Sequence, residues 1–334
     1  MKQTVMAVVL LVLVCVGIKV VFFPYIQSVT LNNSDRQLSL DVQDIQSSNE
    51  SDIGKKFKKL AEQNGALYAY KVLGHAQDKL RIREHHYAHI IGDELYKESG
   101  PDAIFYCTNE FAYGCYHSVL ANAIEEKGIS ILPKLNQFCI EKDPNEWGCQ
   151  HGIGHGVISY IGYDTEAIFD AVAICATLES EVSKRGCLGG IFMEFNQHSM
   201  LDLSGESQRV LSEEGLHFPC SKVNQEYQSE CYFEQVIWWL TMSDNDFERV
   251  GKLCSEVTSE KAKQWCFRRV GEFASELTKN DIKGTQKICN QMPDEGISYC
   301  LQMAQDWWIA DDRVCENIDP SYREICLSPV PASI

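Results

Sequence analysis

Apolar residues recur at helical spacing along most of the chain after residue 52. One apolar stripe ends at Cys254, a polar stretch follows over residues 255–264, and a second apolar stripe begins at Cys266. This pattern predicts two helices joined by a short polar turn, with a cysteine at each side of the turn. Because similar stretches follow one another, we predict an all-α fold in which about eight hairpins form an α-solenoid.

The cysteines repeat the same unit. Fourteen of the fifteen cysteines form seven successive pairs, with sequence separations of 8, 10, 12, 11, 12, 11 and 11. The pairs are Cys107 with Cys115, Cys139 with Cys149, Cys175 with Cys187, Cys220 with Cys231, Cys254 with Cys266, Cys289 with Cys300, and Cys315 with Cys326. A disulfide across the neck of each hairpin is the expected arrangement, and bridges between neighbouring repeats are the alternative. The sequence has no C-x-x-C spacing, which argues against structural zinc.

The chain begins with an apolar segment. Residues 5–18 and 20–23 are apolar, Lys19 lies between them, and no A-x-A cleavage site follows. We predict that residues 1–26 form a transmembrane signal anchor, with a cleaved signal peptide as the alternative. Residues 27–52 are polar and predict a flexible linker, and residues 53–334 form the α-helical repeat domain. Because stable disulfides need an oxidising compartment, we expect a membrane-anchored, extracytoplasmic protein, periplasmic or on the cell surface, or else a secreted one.

The charge of the chain narrows the choice of partners. The 47 acidic and 30 basic residues give a formal net charge of −17, which argues against nucleic acid as a partner. The sequence also lacks a phosphate-binding loop, a dinucleotide fingerprint, a G-x-S-x-G elbow and a C-x-x-C-H haem site. The remaining candidate chemistry lies in the histidines.

Histidines occupy the same place in successive repeats. His117 and His151 each come two residues after the second cysteine of their pair. His155 follows His151 by four residues, so both lie on one face of the predicted helix. A preceding helix without cysteines carries a matching pair, His85 and His89. The register therefore predicts five imidazoles on neighbouring helices.

We predict that these five side chains converge on one metal ion, because helices in such arrays pack about 8–10 Å apart. His86 is the alternative to His85 as the first ligand. Imidazole nitrogens suit zinc or copper, with iron as the third candidate. Glu194 is expected to be a carboxylate ligand or a general acid or base at the edge of the site. Asp93, four residues after His89, is expected to orient a ligand by hydrogen bonding.

The segment from His151 to Gly156 is rich in glycine. It reads His-Gly-Ile-Gly-His-Gly, and the repeat register places it in a helix. Each glycine in a helix costs about 1 kcal/mol relative to alanine. Close approach of a neighbouring helix or of a ligand to this backbone would explain why the sequence accepts that cost.

Three short motifs lie between His85 and Glu194. They are Gly114-Cys115-Tyr116-His117, then Gly148-Cys149-Gln150-His151-Gly152-Ile153-Gly154-His155-Gly156, and then Gly189-Gly190-Ile191-Phe192-Met193-Glu194. These motifs resemble the G-C-Y-H-G, H-G-x-G-H-G and phenylalanine-methionine-glutamate motifs of an uncharacterised family of bacterial envelope proteins. Ser118 stands where that family usually has a glycine. In architecture the hairpins also resemble cysteine-bridged Sel1-type repeats, although the A-x-x-x-L-G-x-x-Y pattern of those repeats is missing.

Two functional hypotheses follow from the sequence. The first is an extracytoplasmic helical-repeat protein that binds a protein or another ligand on its surface and holds a metal in its histidine cluster. The second is a metal-dependent enzyme, a hydrolase or an oxidoreductase, with Glu194 as acid or base. An enzyme needs an open coordination position beside a pocket, whereas a binding protein does not.

Overall fold

The computed structural model of the chain describes residues 35–80, 84–142, 147–164, 166–201, 215–309, 311–316 and 320–331. All regular secondary structure in these residues is helical, which confirms the predicted all-α class. Among the described residues no helix is both long and apolar enough to cross a membrane. The predicted signal anchor, residues 1–26, lies outside them. The chain divides into two compact units after Leu95.

The described part of the first unit consists of helices. They are α1 over residues 35–46, α2 (Glu50–Asn64), α3 (Ala66–Leu80) and the beginning of α4 (Glu84–Ser99). Helices α2 and α3 pack together and are joined at Gly65, whose φ of 91° favours glycine. The ring of Phe57 in α2 packs on Tyr87 in α4, with the ring centroids 5.5 Å apart.

Helix α1 differs from the flexible linker that the sequence predicts for residues 27–52. Ile45 is fully buried, so this mostly polar helix is attached to the unit by an apolar contact. Two polar contacts add to it: Tyr68 donates a hydrogen bond to Asp41 over 2.7 Å, and Lys56 donates one to Asp44 over 2.7 Å. A helix that buries so little apolar surface gives only a weak periodic signal in the sequence.

The second unit contains the disulfide-bonded hairpins. After α4, the α-helices are α5 (Gly114–Lys127), α6 (Leu132–Lys142), α7 (Gly148–Ile161), α8 (Ala167–Cys175), α9 (Glu181–Leu201), α10 (Gln228–Met242), α11 (Phe247–Ser255), α12 (Glu260–Leu277), α13 (Ile282–Cys289), α14 (Asp294–Met303) and α15 (Pro320–Leu327). Each of the seven predicted cysteine pairs forms its own disulfide, with Cα atoms 5.4 to 5.9 Å apart. The predicted pairing is confirmed.

The two arms of the hairpins differ in regularity. The first arm of each hairpin is the segment before the turn, and the second arm is the helix after it. In four hairpins the first arm is an α-helix, namely α6, α8, α11 or α13. In the other three it is a 3-10 segment, at Gly100–Tyr106, Cys220–Lys222 or Asp312–Cys315. The second arms are α5, α7, α9, α10, α12, α14 and α15, and each of these packs on the next one along the chain. Equivalent positions of successive repeats therefore lie beside one another in the second arms.

Two connections between hairpins share one design. Asn245 and Asn280 adopt positive φ values of 61° and 63° after α10 and α12. Asp246 and Asp281 follow, and each side chain accepts a hydrogen bond from the backbone N–H three residues later. Asparagine tolerates the left-handed conformation and aspartate caps the next helix, so each short connection ends one helix and starts another.

Candidate metal centre

Helix α7 lies at backbone contact between α5 and α9. A Cβ atom on Gly154 would lie 2.0 Å from the carbonyl oxygen of Cys187 in α9, and one on Gly190 would lie 2.0 Å from the carbonyl oxygen of His151. On the other side of α7, a Cβ on Gly152 would lie 3.2 Å from backbone of α5. Close approach of neighbouring helices, predicted as one explanation of these glycines, is therefore confirmed.

This packing brings three buried imidazoles together. His117 lies on α5, and His151 and His155 lie one turn apart on α7. Their exposed fractions are 5%, 3% and 7%. One imidazole nitrogen of each lies within 4.8 Å of the corresponding nitrogens of the other two. The ring of His155 stacks on His117, with centroids 4.2 Å apart, and lies 4.9 Å from the ring of His151. These three histidines could hold a metal ion.

Glu194 on α9 contacts the Nδ1 side of the His155 ring. Its Oε2 atom lies 2.8 Å from Nδ1 of His155, and its Oε1 atom accepts a hydrogen bond of 2.9 Å from Tyr163. An ionised carboxylate can only accept, so Nδ1 of His155 carries a proton, and in the neutral imidazole Nε2 carries the lone pair. That Nε2 atom is buried and has no hydrogen-bond partner among the described residues.

The electrostatic surroundings keep Glu194 ionised. Burial acts to raise the pKa of Glu194, but the hydrogen bonds from His155 and Tyr163 and the charges of His155 and His198 outweigh it, so the pKa lies below its ordinary value. Burial, together with the Glu194 charge, raises the pKa of Tyr163. The phenol ring also stacks on His198, with centroids 3.6 Å apart and planes 7° apart. Tyr163 therefore stays protonated and holds Glu194 in place.

Aromatic side chains form the rim of the centre. Trp147 meets the ring of His151 edge-on at a centroid distance of 5.2 Å, and Tyr113 lies 5.7 Å from Trp147. A Cβ on Gly148 would lie 2.0 Å from the Tyr113 ring, so glycine is required beneath it. Residues 111–113 all have positive φ, an uncommon conformation for three successive L-residues. Because Trp147 is 38% exposed, the rim reaches solvent.

The remaining predicted residues lie on α4. His85 and His89 are half-buried, and their Nε2 atoms lie 3.0 Å apart. His86 is exposed, so His85 is the residue that pairs with His89. Asp93 is half-buried one turn later. That His85, His89 and Asp93 join the other three histidines around one ion stays a prediction.

Two residues of the centre were missed from the sequence. Trp147 directly precedes the Gly148-Cys149 motif, and its position could have indicated the rim. Tyr163 follows the end of α7, where helical periodicity no longer places side chains, and only the turn after α7 brings it to Glu194.

Comparison with known proteins gives no relative from which to transfer a function. No family model, no curated protein and no solved structure matches the chain. The function of the centre is therefore inferred from its geometry and chemistry.

Proposed function

We propose that the chain is a disulfide-stabilised helical-repeat protein that binds one transition metal ion through His117, His151 and His155. The main support for this proposal is the environment of the Nε2 atom of His155. This atom is buried beside two further imidazoles and has no hydrogen-bond partner among the described residues, while Glu194 holds the other ring nitrogen. A buried polar atom without a partner costs free energy, and a metal ion would supply the missing interaction.

The ligand set fits zinc or copper, with iron as the third candidate, because all three accept imidazole nitrogen. Zinc–nitrogen bonds of about 2.0–2.1 Å in tetrahedral geometry place ligand nitrogens about 3.4 Å apart. The three histidine nitrogens lie within 4.8 Å of one another, so the rings would have to move by roughly 1 Å to reach a common ion. Three protein nitrogens leave a fourth position for water or another ligand.

The contacts of Glu194 favour metal binding over catalysis. Both of its carboxylate oxygens are engaged, one by His155 and the other by Tyr163. A carboxylate in this position orients the imidazole and raises its basicity. An enzyme that used Glu194 as acid or base would need one of these oxygens to face a substrate. The hydrolase or oxidoreductase hypothesis is therefore the weaker one.

We extend the proposal to the architecture and location of the protein. The packing of each second arm on the next supports an α-solenoid in the second unit, whose surface would engage a protein partner. The seven disulfides favour an oxidising, extracytoplasmic compartment. Residues 1–26 would anchor the chain to the membrane there.

Metal analysis of the purified full-length protein, with its disulfides intact, tests the proposal. After loading with zinc or copper and dialysis, the wild type should retain one ion per chain. The double variant His151→Ala, His155→Ala should retain none, while circular dichroism shows unchanged helix content. His75→Ala, which removes an exposed histidine of α3, is the matched control and should bind like wild type. A wild type without metal, or a double variant that keeps it, would contradict the proposal.

A further inference from the structure

Arg268 on α12 is a buried cation held against two aromatic rings. It is only 4% exposed, and its guanidinium carbon lies 4.8 Å from the ring centroid of Trp265 and 4.9 Å from that of Tyr299. Its Nε atom donates a hydrogen bond of 2.9 Å to Oε1 of Gln302. Both rings stabilise the positive charge through their π faces.

The Arg268 guanidinium has no anionic partner among the described residues. No described carboxylate lies within 4.0 Å of it, and its one hydrogen bond to a described residue is the bond from Nε. The two other buried or partly buried arginines of this region differ: Arg185 is paired with Glu230, and Arg269 is paired with Glu234. Burying an unpaired charge is costly, so an arginine in this state calls for an anion from outside.

Gln302 holds the guanidinium of Arg268 in one orientation. Gln302 is 1% exposed, and its Nε2 atom donates hydrogen bonds of 2.9 Å to the carbonyl oxygen and to Oγ of Ser328. These bonds fix the amide of Gln302, so its Oε1 atom must face Nε of Arg268. The Nη1 and Nη2 atoms have no hydrogen-bond partner among the described residues, and neither is fully buried. Burial lowers the pKa of Arg268 to about 10, and the side chain is still charged at neutral pH.

We propose that the Nη1 and Nη2 atoms of Arg268 bind the carboxylate of a ligand in a bidentate manner. The planar fork of arginine matches the two oxygens of a carboxylate. A phosphate carries up to about two negative charges. A single guanidinium in a chain of net charge −17 is poorly suited to hold them. This carboxylate site is separate from the metal centre and does not depend on it.

Titration of the full-length protein, labelled with 15N-arginine, tests the carboxylate site. Sodium acetate is added at constant ionic strength, and the Nε signals are followed by NMR. One signal should shift and saturate. The shifting signal should be missing from the spectrum of Arg268→Met, which assigns it to Arg268. Saturation-transfer NMR observed on the acetate methyl group, which needs no labelled arginine, should show an affinity at least about 10-fold weaker in Arg268→Lys, which keeps the charge but loses the fork. Arg249→Met, at an exposed position of α11, is the matched control and should retain the saturable shift.

A pair of short peptides, one with a free carboxyl terminus and one amidated, identifies the class of ligand. If the free peptide binds more tightly than acetate and the amidated peptide does not bind, the ligand is a peptide terminus. If the free peptide binds with the same affinity as acetate, the ligand is a small organic acid. Both results support the site. Saturation by inorganic phosphate but not acetate, no saturable shift in the wild type, or an unchanged shift in a folded Arg268→Met protein would overturn the proposal. The wild-type titration decides the matter even if that variant does not fold.

Discussion

Glu194 fixes which nitrogen of His155 faces the other two imidazoles. The carboxylate accepts from Nδ1, and Tyr163 donates to the second carboxylate oxygen, so the pair cannot rotate without breaking one of these hydrogen bonds. Partners of this kind hold metal-binding histidines in one tautomer and orientation. The metal affinity of the centre should therefore depend on a residue that does not touch the ion.

Replacement of Glu194 by glutamine tests this role. We expect Glu194→Gln to weaken zinc binding by about 10- to 100-fold, because the neutral amide is a weaker acceptor and no longer selects one tautomer of His155. A competition titration with a chromophoric chelator measures the affinity, and circular dichroism should show an unchanged fold. Glu181→Gln, at an exposed position of the same helix, should bind like wild type. Equal affinities for both variants would remove Glu194 from the centre.

Glu234 on α10 is a buried carboxylate in a purely structural network. Arg269 lies between Glu234, 3.2 Å away, and Glu272, so two carboxylates share one guanidinium. Burial raises the pKa of Glu234 to about 7; Arg269 opposes this rise and the charge of Glu272 adds to it. The folded state therefore holds a proton on Glu234 that the unfolded state, with the ordinary pKa of 4.5, has already lost.

The stability contributed by this proton should depend on pH. It is fully present below pH 4.5 and is lost as the pH rises towards about 7. In Glu234→Gln this contribution is absent. The urea midpoint of the wild type should therefore fall relative to that of the variant between pH 4.5 and about 7, and the difference between the two midpoints should be constant at higher pH. Glu260→Gln, at an exposed position of α12, should follow the wild type. A constant difference between wild type and Glu234→Gln would show that Glu234 is ionised throughout.

At the scale of single residues, the sequence predicted that His117, His151 and His155 lie close together, because equivalent positions of successive repeats lie on neighbouring helices. It left His85 and His86 as alternatives, which only their burial separates. Arg268 lies two residues after Cys266, the place that His117 and His151 occupy after their cysteines. The same register could therefore have indicated it. Its missing counter-ion could not be predicted, because that depends on which side chains pack around it.

At the scale of helices, glycine allows α5, α7 and α9 to approach one another at their backbones. Gly154 on α7 and Gly190 on α9 meet the facing backbone directly, where no side chain could rotate away. This close approach places His117 next to the two histidines of α7. The glycines therefore position the three histidines of the proposed metal centre even though they offer no ligand atom.

A single added methyl group tests this packing. Gly190→Ala would place Cβ 2.0 Å from the carbonyl oxygen of His151, and we expect a loss of at least about 3 kcal/mol, at the upper end of overpacking effects. Gly74→Ala in α3 meets nothing within 4 Å and should stabilise its helix by about 0.5–1 kcal/mol. Hydrogen exchange read by mass spectrometry reports each helix separately. If Gly190→Ala leaves the hydrogen-exchange protection of α7 and α9 at its wild-type level, the backbone contact at Gly190 does not stabilise the pair.

Helix prediction succeeded where cysteines mark both arms of a hairpin and was weaker elsewhere. The paired spacing predicted all seven bridges, since a turn of this length brings its own two ends together before any others. It did not predict that three first arms are 3-10 segments. The helix over residues 35–46 was missed because its position depends on Ile45 and on contacts with distant residues.

At the scale of the whole molecule, the disulfides stabilise the fold on which the proposed metal centre is built. Closing a loop of about 10–15 residues contributes about 2–3 kcal/mol on the chain-entropy model, so the seven bridges together contribute a large stabilisation to the hairpins. Such a scaffold tolerates glycine-rich helices and buried polar groups. We therefore expect loss of the metal to leave the fold largely intact.

X-ray absorption of the zinc-loaded protein tests the central claim most directly, because it reports the ligands of the ion itself. We predict three imidazole nitrogens at about 2.0–2.1 Å from zinc in the wild type, and one imidazole fewer in His155→Ala. A spectrum without imidazole ligands, or one that His155→Ala leaves unchanged, would show that the histidines of α5 and α7 do not form a metal centre.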